Sequence, residues 1–218
     1  MASIVEEHLA CLLERYPALV ACREDIRASY DVLETCFLNG GKLLIAGNGG
    51  SAADAEHITG ELMKGFKLPR KIDPTYARAL TEADAALGLV LAERLQGALP
   101  AIALDGHPAL STAYMNDCDP LLCFAQQVQG YGRPDDVFLG ISTSGNSKNI
   151  LYAAVAARAR GMKVIGLTGA RDSWLSIYAD VCIRVPQEET YMVQELHLPI
   201  YHCLCLMLEA RFFQEDEI

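Results

Sequence analysis

Five short apolar runs constrain this 218-residue chain more than any other feature: "KLLIAG", "PAIALD", "DVFLGIS", "KVIGLTG" and "VCIRVP". Each is too short for a stable buried helix, and none alternates apolar with polar residues. A continuous apolar run of that length reads as a strand covered on both faces. Stretches of helical period lie between the runs: Ser51 to about Lys64, "TEADAALGLVLAERLQ", "KNILYAAVAARARG" and "WLSIYAD". Strand–helix alternation of this kind implies parallel strands joined by crossover helices. The expected fold is therefore α/β, a doubly wound parallel five-stranded sheet flanked by helices. In such sheets ligands bind beyond the carboxyl ends of the strands.

The rest of the chain supplies more helices. Residues 3 to 38 carry apolar residues at helical spacing, interrupted near Pro17, and Asn39-Gly40-Gly41 stops them, so residues 1–40 read as an N-terminal helical hairpin. Residues 66–99 begin with the basic, proline-bearing "FKLPRKIDP" and continue into a helix for which Thr81 is the expected N-cap. Residues 108–130 read as two short helices around Asn116-Asp117, and Glu188 to about Phe213 as a long terminal one. No linker, repeat or low-complexity tract divides the chain, so residues 1–218 are expected to form a single domain.

Composition narrows the function. The net charge of -10 argues against nucleic acid as a partner, because phosphate neutralisation needs clustered Lys and Arg. An anionic ligand would have to be held by dipoles and hydroxyls instead. No apolar run is long enough to cross a membrane, and "MASIVEEHLACLLERY" has no basic stretch before an apolar core, so a cytoplasmic location is expected. None of the eight cysteines forms a CxxC pair, which favours reduced structural thiols.

Four constellations carry chemistry. In "GNGGSA", Gly47 to Ala52, the glycines let backbone approach a ligand, and the helix that follows offers free N–H groups. As a dinucleotide fingerprint it fails, because no acid closes a second strand about 20 residues later. "GISTSGNS" crowds Ser142, Thr143, Ser144 and Ser147 between a strand and a helix start, more hydroxyls than a single N-cap uses. Such a loop suits a phosphate. His57 and Glu61, four apart on a helix that begins at the glycine turn, share one face, as a metal ligand pair or as a base with its partner. In "QELHLPIYH", Gln194 and His202 are eight apart and so about 80° out of alignment on an ideal helix. Glu195 aligns better with His202, His197 competes, and Pro199 should disturb the helix between them.

With these pieces together, the chain resembles the sugar isomerase (SIS) domain family, in its phosphoheptose isomerase branch. The resemblance rests on "GNGGSAADAEHITGEL", "ALSTAYMND", "GISTSGNSKNILYAAVAARARGMKVIGLTG" and "IRVPQEETYMVQELHLPIYHCLCLMLE", which span most of the chain from about 40 to 210. It implies a flavodoxin-like SIS sheet, a homotetramer with active sites at subunit interfaces, and an aldose–ketose isomerase in heptose or lipopolysaccharide biosynthesis. The reaction implied is conversion of sedoheptulose 7-phosphate to glycero-manno-heptose 7-phosphate. Glu61 falls at the position of the general base and His202 at that of the general acid. His57, Glu61, Gln194 and His202 match the zinc ligands of some members. Gly49, Gly50, Ser51, Ser142, Thr143, Ser144 and Ser147 fall in the phosphate-binding segments, and Asn48 and Asp117 match positions that contact sugar hydroxyls.

Three departures accompany the resemblance. Met63 and Lys64 stand where the family usually has a Gly-Arg pair, Tyr191 stands where an acid is expected, and residues 66–99 are longer than the usual connection. These leave open an isomerase for another ketose phosphate, one that works without metal, or a non-catalytic phosphosugar sensor. A regulatory SIS protein associated with the replication initiator is a further alternative. The presence of both a base and an acid favours the enzyme.

Overall fold

In a computed structural model, residues 4–214 are described. Five strands, β1 (Leu43–Ala46), β2 (Ala101–Ala103), β3 (Val137–Ile141), β4 (Lys163–Thr168) and β5 (Val181–Arg184), form one parallel sheet in the order β2-β1-β3-β4-β5. The chain reverses its direction of winding between β1 and β3, the usual position for a ligand crevice in this topology.

Successive strand residues point to opposite faces, and the two cores follow from that. Leu43, Ile45, Leu139, Ile141, Ile165 and Leu167 face one layer. That layer contains α1 (Ile4–Arg15), α2 (Arg23–Leu38), α3 (Gly50–Met63) and α10 (Thr190–Phe213). Leu44, Ala46, Phe138 and Val164 face the other, built by α7 (Cys123–Tyr131), α8 (Lys148–Ala159) and α9 (Trp174–Tyr178). The remaining helices are α4 (Pro74–Ala83), α5 (Leu87–Arg94) and α6 (Pro108–Asp117). A 3-10 turn at Pro17–Cys22 separates α1 from α2, and a shorter one precedes α7. At the amino-terminal edge of the sheet, the buried Asp136 carboxylate accepts from the Lys42 N–H and Nζ and from the Arg133 N–H, joining the starts of β1 and β3.

Two local expectations are corrected. Thr81 is not an N-cap; it lies inside α4, where its hydroxyl donates to the Arg78 carbonyl. The cap is Asp73, whose side chain accepts from the Thr75 and Tyr76 N–H groups, with Pro74 in the first turn. The segment thus holds two helices, broken where Asp84 caps the next turn by accepting from Ala86 and Leu87. Pro199 does not interrupt α10, which runs continuously for 24 residues. The helix tolerates the lost N–H because Val193, Ile200, Tyr201 and Leu204 around it are locked into the core.

All eight cysteines are free thiols, five of them buried. No described helix is long and apolar enough to cross a membrane.

Candidate active site

The two small-residue loops meet at the carboxyl end of the sheet. One links β1 to α3 and the other links β3 to α8. Asn48 and Asn149 clasp them together through reciprocal amide hydrogen bonds of 3.0 and 2.8 Å. Asn48, expected to contact a sugar, is engaged in this clasp, and Asn149 is a residue the sequence did not single out.

The glycines are required by close approach. A Cβ on Gly50 would lie 2.7 Å from the Gln194 amide nitrogen, so Gly50 is what lets α10 reach the first loop. Gly49 precedes it with φ +58°, and Ser51 is buried in the first turn of α3. Gln194, not Glu195, faces this loop; Glu195 is exposed. In the second loop, the buried Ser142 hydroxyl shares a 3.0 Å hydrogen bond with Ser147. Ser147 makes no side-chain cap bond to α8, so its hydroxyl is not spent on the helix start. Ser144 is exposed and accepts from the Asn146 N–H, and Thr143 accepts through its carbonyl from Gly169. Gly145 has φ +64°, and a side chain there would collide with Ser173. Loop hydroxyls at the start of a helix form an anion cradle that needs no lysine.

Beside the cradle, α3 and α10 bring together the titratable groups. His57 Nε2 lies 3.4 Å from Glu61 Oε1, and Lys64 Nζ lies 3.0 Å from Glu61 Oε2. The His57 and His202 rings meet edge to face with centroids 4.9 Å apart, and the Phe66 ring packs on His202 with centroids 5.4 Å apart. His202 Nε2 is buried with no hydrogen-bond partner. Burial and the nearby His57 hold the His202 pKa below its ordinary value, against the opposing Glu61 charge. At neutral pH it is therefore a neutral imidazole.

Asp54 and Tyr201 complete the group, and neither was legible in advance. The Tyr201 hydroxyl donates to Asp54 Oδ1 at 3.1 Å and lies 3.0 Å from His57 Nδ1. Because its one proton goes to Asp54, Tyr201 accepts from Nδ1–H, which leaves His57 Nε2 turned toward Glu61. Burial raises the Asp54 pKa, opposed by the Tyr201 bond and by His57.

Asp117 and His197 make no hydrogen bond to this group. Asp117 ends α6 as an exposed side chain hydrogen-bonded to Asn116. His197, the competing candidate, is fully buried with Nε2 3.4 Å from the Thr168 carbonyl, and burial pushes its pKa down to about 4. It is a core residue.

The proposed zinc donors are only partly assembled. His57 Nε2 lies beside Glu61 and His202 Nε2 is open, but Lys64 holds the second Glu61 oxygen. Among the described residues no three His, Cys, Asp or Glu side chains are gathered so as to hold a metal ion. A metal here would need Lys64 to release the second Glu61 oxygen.

Comparison with known proteins supplies the relationship. The family model for the SIS domain matches residues 78–169. Phosphoheptose isomerase of Roseiflexus sp. is 39% identical over 84% of this chain and 80% of its own length. That of Aneurinibacillus thermoaerophilus is 34% identical over 98% and 96%. This chain belongs to the SIS-domain phosphoheptose isomerase family. Its fold agrees: the Francisella tularensis phosphoheptose isomerase structure superposes with TM-score 0.71 at 32% identity, covering 96% of this chain and 99% of that one. The Neisseria gonorrhoeae structure gives 0.70 at 32%, covering 94% and 97%.

Proposed function

We propose that this chain interconverts sedoheptulose 7-phosphate and D-glycero-D-manno-heptose 7-phosphate. The observation that carries the reading is the meeting of Glu61 and the unpartnered His202 Nε2 around His57, beside two clasped loops rich in hydroxyls. The family membership agrees with it.

The chemistry follows from those groups. A proton on carbon next to a carbonyl is a weak acid, so the reaction needs a placed base and stabilisation of the developing oxyanion. Glu61 takes a proton from C1 of the ketose, the electron pair forms the C1–C2 double bond, and O2 receives a proton from His202. Glu61 then returns the proton to C2 while His202 recovers one from O1, which produces the aldose and restores both groups. A neutral imidazole suits the electrophile's role, since it donates without presenting a full charge to the enediol. Ser51, Ser142, Thr143, Ser144 and Ser147 bind the phosphate and hold the reacting carbons at the base.

Several finer readings remain proposals. The chain acts as one SIS domain in the cytoplasm, as a homotetramer, with residues 66–99 an insertion. Zinc at His57, Glu61, Gln194 and His202 is supported by the resemblance and by the open His202 nitrogen alone. Metal-stripped protein incubated with sedoheptulose 7-phosphate, with and without added zinc, tests both points by NMR. Aldose formation supports the isomerase, and its dependence on zinc supports the metal. No product, with phosphosugar binding still measurable by calorimetry, overturns the enzyme in favour of a sensor.

A further inference from the structure

We propose that Arg70, which belongs to none of the four constellations read from the sequence, is a positioning residue for the base. The inference rests on Glu61 having that role.

The argument starts at the carboxyl end of α3. A helix leaves its last carbonyls without intrahelical donors, and the usual remedy is a glycine in the left-handed conformation. Here Lys64 follows in an extended conformation, and no such cap forms. Instead the Arg70 guanidinium turns back from the strap that follows. Nη2 donates to the Glu61 carbonyl at 2.9 Å and Nη1 to the Leu62 carbonyl at 2.7 Å. Nε donates to Glu209 Oε1 at 2.9 Å, and Phe213 lies against the guanidinium at 4.7 Å. The Arg70 side chain is fully buried and that of Glu209 nearly so.

Glu209 in turn fixes the strap. Its carboxylate accepts from the N–H groups of Phe66, Lys67 and Leu68 as well as from Arg70. A rigid fork therefore runs from α10 to the backbone of the residue that carries the base. Only a planar guanidinium makes both carbonyl contacts and the carboxylate contact at once. The same strap carries Phe66, which touches the His202 ring. The phosphate loops lie at the opposite end of α3 and have no bond to Arg70.

Arg70→Lys tests this, because lysine keeps the charge beside Glu209 but loses the fork. The expected result is a kcat lowered about tenfold or more, corresponding to about 1.4 kcal/mol, with KM within about twofold, since the phosphate loops are untouched. Phe213→Leu serves as the control: it removes packing from the guanidinium but keeps the fork. It should lower the thermal midpoint and leave kcat near wild type. A folded Arg70→Lys protein with wild-type kcat overturns the proposal, as does an equal loss in both variants. Hydrogen exchange separates this from a failure of the isomerase reading. Arg70→Lys should speed exchange of the amides of residues 62–66 and leave those of residues 52–56 unchanged. Unchanged exchange at 62–66 overturns the positioning role whether or not the protein turns over a sugar.

Discussion

Replacing Glu209 by glutamine isolates the anchor beneath the site. The carboxylate is 1% exposed, and its two oxygens divide four donors: Phe66 N–H and Arg70 Nε on one, Lys67 and Leu68 N–H on the other. A glutamine side chain has one acceptor oxygen. Whichever way it turns, its NH2 faces two donors, and the buried Arg70 loses its counter-charge. Breaking a buried pair from one side costs about 3–5 kcal/mol. For a chain of this size each kcal/mol moves the thermal midpoint by about 2–4 °C, so a fall of roughly 6–20 °C is expected at pH 7. Acid provides a second reading. Burial raises the Glu209 pKa, but the bonds from Phe66, Lys67 and Arg70 outweigh it and hold the group below its ordinary value. Its stabilisation is therefore full above the unfolded-state pKa of about 4.3 and disappears as pH falls through the lower folded-state value. The gap between wild type and Glu209→Gln should narrow in that range. Calorimetric scans at neutral and acid pH measure it. A midpoint within about 2 °C of wild type at pH 7, or a gap that stays constant in acid, refutes the reasoning.

Three other outcomes are expected. Changing Ser142 and Ser144 to alanine should raise KM for the phosphosugar more than it lowers kcat; an unchanged KM removes the phosphate assignment. His197 is buried as a neutral imidazole with its pKa pushed down to about 4. The unfolded chain takes up that proton first, so stability is lost as pH falls from about 6.5 toward about 4, by roughly 1.4 kcal/mol per unit. His197→Leu should lose less stability over that range in urea titrations, and an identical loss contradicts the assignment. Excising residues 72–95 with a short Gly-Ser bridge should leave the thermal midpoint within about 3 °C. The segment is pinched at its base by the Lys71–Gln96 bridge and the Gly97 N–H bond to Arg70, and α4 and α5 bury no large apolar side chain. Loss of folding or of turnover would make the hairpin part of a subunit contact or a lid.

The sheet was legible because its strands are buried on both faces, so "LLIA" or "VFLGI" has no other stable use. The loops were legible because glycine and serine clusters are local signals. The missed residues share a different character. Tyr201 and Asp54 are 147 positions apart, and Arg70 and Glu209 are 139 apart. An isolated charged residue in "KLPRKID" gives no sign that it will be buried, because its partner is chosen by the tertiary fold. Only the family pattern singles out Gln194 over Glu195; ideal helix geometry favours Glu195. The sequence reading starts a helix at Thr81 and misses Pro74–Ala83, because the Asp73-Pro74 pair that caps it reads as the end of the basic, proline-bearing loop.

The central claim is that Glu61 moves the proton between C1 and C2. It is tested most directly by incubating sedoheptulose 7-phosphate in D2O with wild type and with Glu61→Gln, and following deuterium at C1 and C2 by NMR. Exchange and aldose formation by the wild type, both lost in a folded Glu61→Gln protein that still binds the substrate, are predicted. Exchange by Glu61→Gln at the wild-type rate would contradict the account and move the base elsewhere.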